Sequence, residues 1–71
     1  MAILLTVEID TDYPKHDDWR VVLSPNNDRN DDESMVLKGG MLQGFAGIHA
    51  RSIARILRAG GTEVTIQHNQ L

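Results

Sequence analysis

The chain has 71 residues, a net charge of −3 and a hydrophobic fraction of 41%. This length predicts one domain over residues 1–71 with a single small core. The chain contains no cysteine, which excludes disulfide bonds and thiolate metal sites. No apolar run reaches about 18 residues, which excludes a transmembrane helix. The first ten residues, MAILLTVEID, have neither a basic leader nor a small-residue cleavage site. We therefore expect a soluble cytoplasmic protein with no membrane partner.

Charge is distributed unevenly along the chain. Residues 1–34 contain nine acidic and three basic side chains, a net charge of −6, whereas residues 35–71 contain four basic and one acidic, a net charge of +3. The simplest interpretation is that acidic loops keep a small protein soluble. The alternative is that an acidic patch docks on a basic surface of another protein.

Two strands are predicted near the N-terminus. Every second residue from Ile3 to Ile9 is apolar, and the intervening face becomes polar, which indicates a strand. Residues 11–18, TDYPKHDD, contain proline and several turn-forming residues and indicate a long loop. In DWRVVLS, residues 18–24, the apolar side chains from Trp19 to Leu23 again share one face. This segment is the predicted second strand, antiparallel to the first.

The next segment is polar and acidic. Residues 25–33, PNNDRNDDE, have no apolar side chain and predict an acidic flexible loop. Residues 34–38, SMVLK, allow two interpretations: a short third strand, or the first turn of a helix that Gly39 and Gly40 interrupt. Two adjacent glycines inside a helix cost about 1 kcal/mol each, so we favour a short extended segment.

One helix is predicted from about residue 41 to residue 59. Its apolar residues recur at spacings of three and four, the pattern of an amphipathic helix. Gly60 and Gly61 suit a left-handed C-cap, and Arg58 opposes the negative end of the helix dipole. Residues 62–68, TEVTIQH, then alternate as a last strand. The predicted apolar stripe of the helix comprises Leu42, Phe45, Ala46, His49, Ile53, Ile56 and Leu57.

Together these elements predict an α+β fold of order ββαβ, with a small antiparallel sheet covered on one face by the helix. The last strand is expected to run parallel to the second strand and to pair with the free edge of the first, giving the order 2-1-3. The opposite face would stay open, which predicts a homodimer that pairs open faces or edge strands. The predicted core comprises Ile3, Leu5, Val7, Ile9, Trp19, Val21, Leu23, Val64 and Ile66 against Leu42, Phe45, Ile53, Ile56 and Leu57.

Neither a metal ion nor catalysis is predicted. Asp10, Asp12, His16, Asp17 and Asp18 carry metal-binding groups without the spacing of a calcium loop, and the acidic run 27–33 lacks the central glycine of that loop. We interpret both as solvated acidic loops. The three histidines fall on different elements and no nucleophile motif is present, so we expect a protein that is not an enzyme and has no cofactor.

The glycine-rich stretch KGGMLQGFAG, residues 38–47, leads into the predicted helix. Backbone N–H groups at a helix start attract phosphate, but the spacing matches neither a P-loop nor a dinucleotide fingerprint. The simplest interpretation is a tight turn and a close approach of the helix to the sheet. The alternative is a protein that binds or sequesters a phosphate-bearing nucleotide. Its ligand-binding residues would be Lys38, Gly39, Gly40, His49 and Arg51.

A short part of the helix resembles the active-site segment of the histidine-containing phosphocarrier proteins of sugar transport. The matching residues are GIHAR at 47–51, followed by Ala54, Ile56 and Leu57. The resemblance implies that His49 caps a helix and carries a phosphoryl group, and that Arg51 stabilises that group. Ser52 stands where the family has a proline.

The function expected from these observations is that of an interaction protein. A short, acidic, cysteine-free α+β chain without a catalytic set is typical of phage- or mobile-element-type regulators that bind a host protein complex. An anti-CRISPR-like inhibitor in the host cytoplasm is the most concrete version. The net negative charge disfavours direct nucleic-acid binding. The predicted partner-binding residues are Arg51, Arg55 and Arg58 on the helix and Asp28, Asp31, Asp32 and Glu33 in the loop.

Overall fold

The computed structural model describes residues 2–9 and 18–69. In these residues the chain forms four strands and one helix, and the predicted α+β class is confirmed. The segment 10–17, with the candidate metal ligands Asp10, Asp12, His16 and Asp17, lies outside the described residues. The elements follow the order β1 (Ile3–Ile9), β2 (Trp19–Ser24), β3 (Met35–Met41), α1 (Gln43–Ala59) and β4 (Val64–His68).

The four strands form one mixed sheet in the order β3-β2-β1-β4. β2 is antiparallel to both β1 and β3, as the hairpin prediction required for β1 and β2, whereas β4 runs parallel to β1. The predicted order of the first, second and last strands is therefore kept, but the prediction of an antiparallel sheet is wrong. The reason is that the short extended segment favoured for residues 34–38 is a strand, which begins at Met35 and ends at Met41. It reverses the chain once more, so that α1 returns it to the end of the sheet from which β1 starts.

Gly39 and Gly40 belong to strand β3, so the prediction that the glycine-rich stretch forms a tight turn before the helix is wrong. The register between β2 and β3 shifts twice, once between the partners of Trp19 and Val21 and once between those of Val21 and Val22. Gly40 has a φ of +68°, a left-handed conformation that glycine adopts without strain. The glycines thus allow an irregular edge strand to continue as far as α1.

The core lies between α1 and the sheet, as predicted for the strands. Leu5 and Val7 of β1 are fully buried there. The predicted core residues of the strands are either in this buried cluster or packed against it: Ile3, Leu5, Val7, Ile9, Trp19, Val21, Leu23, Val64 and Ile66.

The side of α1 that faces the sheet differs from the prediction. It is built from small residues, all of them buried, while Ile53 and Leu57 pack at its margin. The prediction that Leu42, Phe45 and Ile56 belong to the core is wrong, because these side chains are exposed. Large strand residues already fill the space between the layers, so the helix approaches through its smallest side chains. The buried residues of α1 are Ala46, Gly47, Ala50 and Ala54.

The C-terminal end of α1 confirms the predicted glycine cap. Gly61 has a φ of +88°, and its N–H donates to the carbonyl of Arg58 at 3.0 Å. The N–H of Thr62 donates to the carbonyl of Leu57, also at 3.0 Å. This pair of bonds is a Schellman motif, which satisfies two carbonyls at the helix end and turns the chain toward β4.

The face of the sheet away from α1, the far face, is not open. Leu4, Thr6 and Val22 are buried on it. Residues 25–34, the far-face loop, cross this surface, and the Oγ atoms of Ser34 and Ser24 lie 2.7 Å apart in a hydrogen bond. The prediction of an open face is therefore wrong. The argument for a dimer that pairs open faces depended on it and no longer holds.

Candidate interaction site on the outer face of α1

The side of α1 that points away from the sheet carries large apolar side chains. Phe45 is 61% exposed, Ile48 53% and Ile56 71%. Their spacing of three and then eight residues places them on one row, with Ser52 between Ile48 and Ile56. Leu42, which precedes the helix, continues this row and is also exposed. We name Leu42, Phe45, Ile48 and Ile56 the outer apolar row.

An exposed apolar row on a helix is a common sign of an interface. Scattered apolar residues on a surface need no explanation, but a contiguous group bordered by polar residues marks a binding surface. Leu42, Phe45 and Ile48 also line a shallow depression together with Gly44, so they form a continuous surface. Sequence reasoning assigned Leu42, Phe45 and Ile56 to the core and did not consider Ile48. The spacing of four residues between the alanines at 46, 50 and 54 could have indicated a second helical row, made of small side chains, that packs on the sheet.

The three helix arginines predicted to bind a partner lie on the flank of α1 nearest β4. A Cβ atom on Gly47 would lie 3.6 Å from Nη1 of Arg51 and 3.7 Å from Cε1 of His68, which places Arg51 beside the end of β4. Arg58 is used within the fold, because its Nη2 donates to the carbonyl of Val64 at 2.7 Å. Arg51 and Arg55 are exposed and form no hydrogen bond or ion pair with another described residue. Two of the three predicted arginines are therefore available to a partner.

The predicted acidic residues lie on the other side of the sheet, in the far-face loop. Asp28 and Asp31 accept hydrogen bonds from backbone N–H groups two residues ahead, those of Asn30 and Glu33, both at 3.0 Å. The bond from Glu33, together with one from Asn26, lowers the pKa of the Asp31 carboxyl. The carboxylates of Asp28 and Asp31 thus stabilise turns within the loop. The flexibility of residues 25–33 stays a prediction. The loop and the arginines do not form one site.

The same loop is anchored by an ion pair on the far face. Arg29 donates from Nε and Nη2 to the carboxylate of Glu8, and Nη2 of Arg20 donates to it at 3.1 Å. Burial by itself would raise the pKa of Glu8, but the hydrogen bonds from Arg29 and then Arg20, with their charges, lower it. The hydrogen bond to Glu8 in turn raises the pKa of Arg29.

The residues predicted to bind a ligand are only partly brought together. Lys38, Gly40 and His49 line one groove between β3 and α1, the α1–β3 groove. Gly39 lines a different depression, with Asp18 and Arg20. Arg51 lies on the opposite flank of the helix. Three of the five residues therefore share one surface.

The phosphocarrier arrangement implied by the resemblance is not formed. His49 is the seventh residue of α1 rather than a residue at its start, so it caps no helix. His49 faces the α1–β3 groove, whereas Arg51 lies on the flank of the helix nearest β4. Because the two side chains leave the helix in different directions, the implied pairing of a phosphohistidine with Arg51 is wrong.

Comparison with known proteins adds no relative. No family model matches the chain, and neither the curated proteins nor the solved structures yield a match. Within the described part of the chain, no helix is long and apolar enough to cross a membrane. Among the same residues, no three histidine, aspartate or glutamate side chains are grouped so that they could hold a metal ion.

Proposed function

We propose that this chain is a non-enzymatic interaction protein that binds another protein through the outer face of α1. The observation that carries the proposal is the outer apolar row, which the fold leaves uncovered beside Arg51 and Arg55. An interface with an apolar centre and a charged rim is the usual anatomy of a specific protein contact. The partner we infer presents an apolar patch bordered by carboxylates.

The helix is favoured over the acidic loop as the docking element. Arg51 and Arg55 are held at fixed spacing on a rigid element, so binding orders little additional chain. Two carboxylates of the loop, those of Asp28 and Asp31, already accept hydrogen bonds inside it. A phage- or mobile-element-type regulator that inhibits a host protein complex, in the manner of an anti-CRISPR protein, is the form of this function that the sequence suggests.

Site-specific photo-crosslinking in a bacterial lysate tests this proposal. A photoreactive residue at Ile48 is expected to form one discrete adduct with another protein, at a peptide rich in apolar and acidic residues. The same residue at Thr65, exposed on β4, is expected to form none. Phe45→Ala should weaken binding by about tenfold or more, since a central aromatic anchor contributes on the order of 2 kcal/mol.

Matched charge reversals separate the two charged surfaces. Arg51→Glu with Arg55→Glu should abolish the adduct, whereas Asp32→Lys with Glu33→Lys should leave it unchanged, because rim charges act only where the partner docks. Both variants should keep the free energy of unfolding within about 0.5 kcal/mol of the parent, as exposed substitutions usually do. An adduct that survives the arginine reversal, or forms equally from position 65, contradicts the proposal.

A second copy of the chain is the main competing occupant. The predicted homodimer stays a prediction, and with the far face covered its remaining surfaces are the outer apolar row and the two edge strands, β3 and β4. Sedimentation at micromolar concentration distinguishes the cases. A dimer that Phe45→Asp converts to a monomer would assign the outer apolar row to self-association instead of to a different protein.

A further inference from the structure

The α1–β3 groove lies between the helix and strand β3, at one edge of the sheet. α1 packs mainly over β1, β2 and β4 and touches β3 least. Gly40 contributes no side chain to the space left above β3, and a Cβ atom built there would meet nothing within 4 Å. The groove has a volume of about 410 Å³, within the range of about 300–1,000 Å³ typical of small-molecule sites.

The lining of the groove combines apolar walls with hydrogen-bond donors. Phe45 and Ile48 form the apolar wall, and Lys38, His49 and Ser52 supply an ammonium, an imidazole and a hydroxyl. His49 and Ser52 are three residues apart on α1 and therefore project from neighbouring turns on one side of the helix. Among the residues that the structure describes, none with a carboxylate lines the groove. Neither Lys38 nor His49 forms a hydrogen bond or ion pair with another described residue.

The start of α1 adds positive potential at the Phe45 end of the groove. Leu42 occupies the N-cap position and forms no side-chain hydrogen bond there, and the first turn contains no acidic residue. The first N–H groups of a helix have no partner within it and carry the positive end of its dipole. With Lys38 on the facing strand, the local electrostatics favour an anion.

We propose that the α1–β3 groove binds a small anionic ligand that carries an aromatic ring, of the nucleoside monophosphate class. Lys38 and His49 contact the phosphate, because an ammonium and an imidazole N–H both donate hydrogen bonds to anionic oxygens. The aromatic ring lies against Phe45 and Ile48, since exposed aromatic side chains stack on nucleobases. This site shares Phe45 and Ile48 with the outer apolar row, but it goes beyond the protein-docking function because it also requires Lys38 and His49.

Titration of the isotope-labelled protein followed by NMR tests the proposal. The probes are AMP, GMP, CMP, UMP, inorganic phosphate and adenosine, each added separately. At least one nucleotide is expected to shift the amide signals of residues 38–41 and 45–52 with a Kd below about 1 mM. It should bind at least tenfold tighter than phosphate or adenosine alone, because only the nucleotide contacts both the donors and the apolar wall.

Variants in the groove identify the contacts. Lys38→Met and His49→Gln should each weaken nucleotide binding at least tenfold, and Phe45→Leu should weaken it while leaving phosphate binding unchanged. His68→Gln is the matched control, since His68 is exposed at the end of β4 and outside the groove, and it should bind like the parent. Signal dispersion in the free protein confirms that each variant is folded.

Several results would overturn the proposal. The proposal fails if none of the four nucleotides binds with a Kd below about 1 mM. It also fails if a nucleotide and inorganic phosphate bind with equal affinity, or if Lys38→Met leaves the nucleotide affinity unchanged. The Lys38→Met outcome is independent of the crosslinking result, because this variant keeps the outer apolar row and both arginines of the protein-docking surface, whereas Phe45 belongs to both sites.

Discussion

At the scale of single residues, Glu8 holds the far-face loop on the sheet. Its side chain is only 14% exposed, and its carboxylate accepts hydrogen bonds from both Arg29 and Arg20. A buried carboxylate is destabilising unless it is paired, and here two guanidinium groups pair with it. Because these groups outweigh the effect of burial, the pKa of Glu8 lies below its ordinary value of 4.5. The folded state therefore favours the ionised form.

The lowered pKa predicts a pH dependence of stability. A carboxyl whose pKa is lower in the folded state stabilises the fold above its unfolded pKa and loses that contribution as the pH falls through its folded pKa. We expect Glu8→Gln to lower the free energy of unfolding at pH 7, and the gap between parent and variant to shrink below about pH 4.5. Urea unfolding of both proteins between pH 7 and pH 3 measures the gap. The pKa of Asp31 is also lowered, but Asp31 is present in both proteins, so its contribution to the pH dependence cancels in the difference between them.

A gap that stays constant down to pH 3 would show that Glu8 titrates alike in both states. Arg29→Gln provides the complementary measurement. It removes the cation that anchors the loop and leaves Glu8 with Arg20. The variant should therefore retain part of the parent's pH dependence.

At the scale of elements, α1 is defined by how closely it lies on the sheet. Ala46, Ala50 and Ala54 are fully buried, so the distance between the layers is set by methyl groups. Protein interiors are close-packed and tolerate added volume poorly. The same close approach turns the larger apolar side chains of α1 outward and creates the outer apolar row.

Substitution by leucine should destabilise the fold on the buried side of α1 and have little effect on the exposed side. We expect Ala50→Leu to destabilise the fold by about 1–3 kcal/mol, because the larger side chain must push the helix away from the sheet. Ala59→Leu makes the same change at an exposed position of the helix and should stay within about 0.5 kcal/mol. Chemical denaturation measures both. If Ala50→Leu is neutral, the helix does not pack through its small residues.

At the scale of the whole molecule, β1 lies inside the sheet and contributes buried side chains to both faces. Leu5 is buried under α1, while Leu4, its neighbour, is buried on the far face, where the far-face loop crosses. A small chain gains much from such two-sided burial, because 71 residues can bury only a limited share of their surface.

This two-sided burial is tested by a pair of matched substitutions. Leu5→Ala and Leu4→Ala should each lower the free energy of unfolding by about 2–5 kcal/mol, the usual cost for a buried leucine. Thermal or urea unfolding gives both values. A cost below about 1 kcal/mol for Leu4→Ala alone would mean that the far face is open, as the sequence had suggested.

The amino-acid sequence by itself determined the elements and their class. The alternation from Ile3 to Ile9, the helical spacing of residues 41–59 and the glycines after Ala59 are local patterns, and each is present in the fold. Local patterns are readable because they depend on the geometry of one element. The pairing of β1 with β2 also followed from chain order. Of the candidate site residues, Arg51 and Arg55 are exposed, and their role in binding a partner stays a prediction.

The tertiary structure alone decided which row of α1 faces the sheet, what covers the far face and which way β4 runs. The helix has two apolar rows, one large and one small, and hydrophobicity favours the large row. The space that the strand side chains leave beneath the helix admits only the row of small side chains. That space is defined only after the sheet has formed. The direction of β4 depends on whether residues 35–41 form a strand, which the edge pairing with β2 decides. The α1–β3 groove likewise depends on where the helix lies across the sheet, a property that belongs to no single segment.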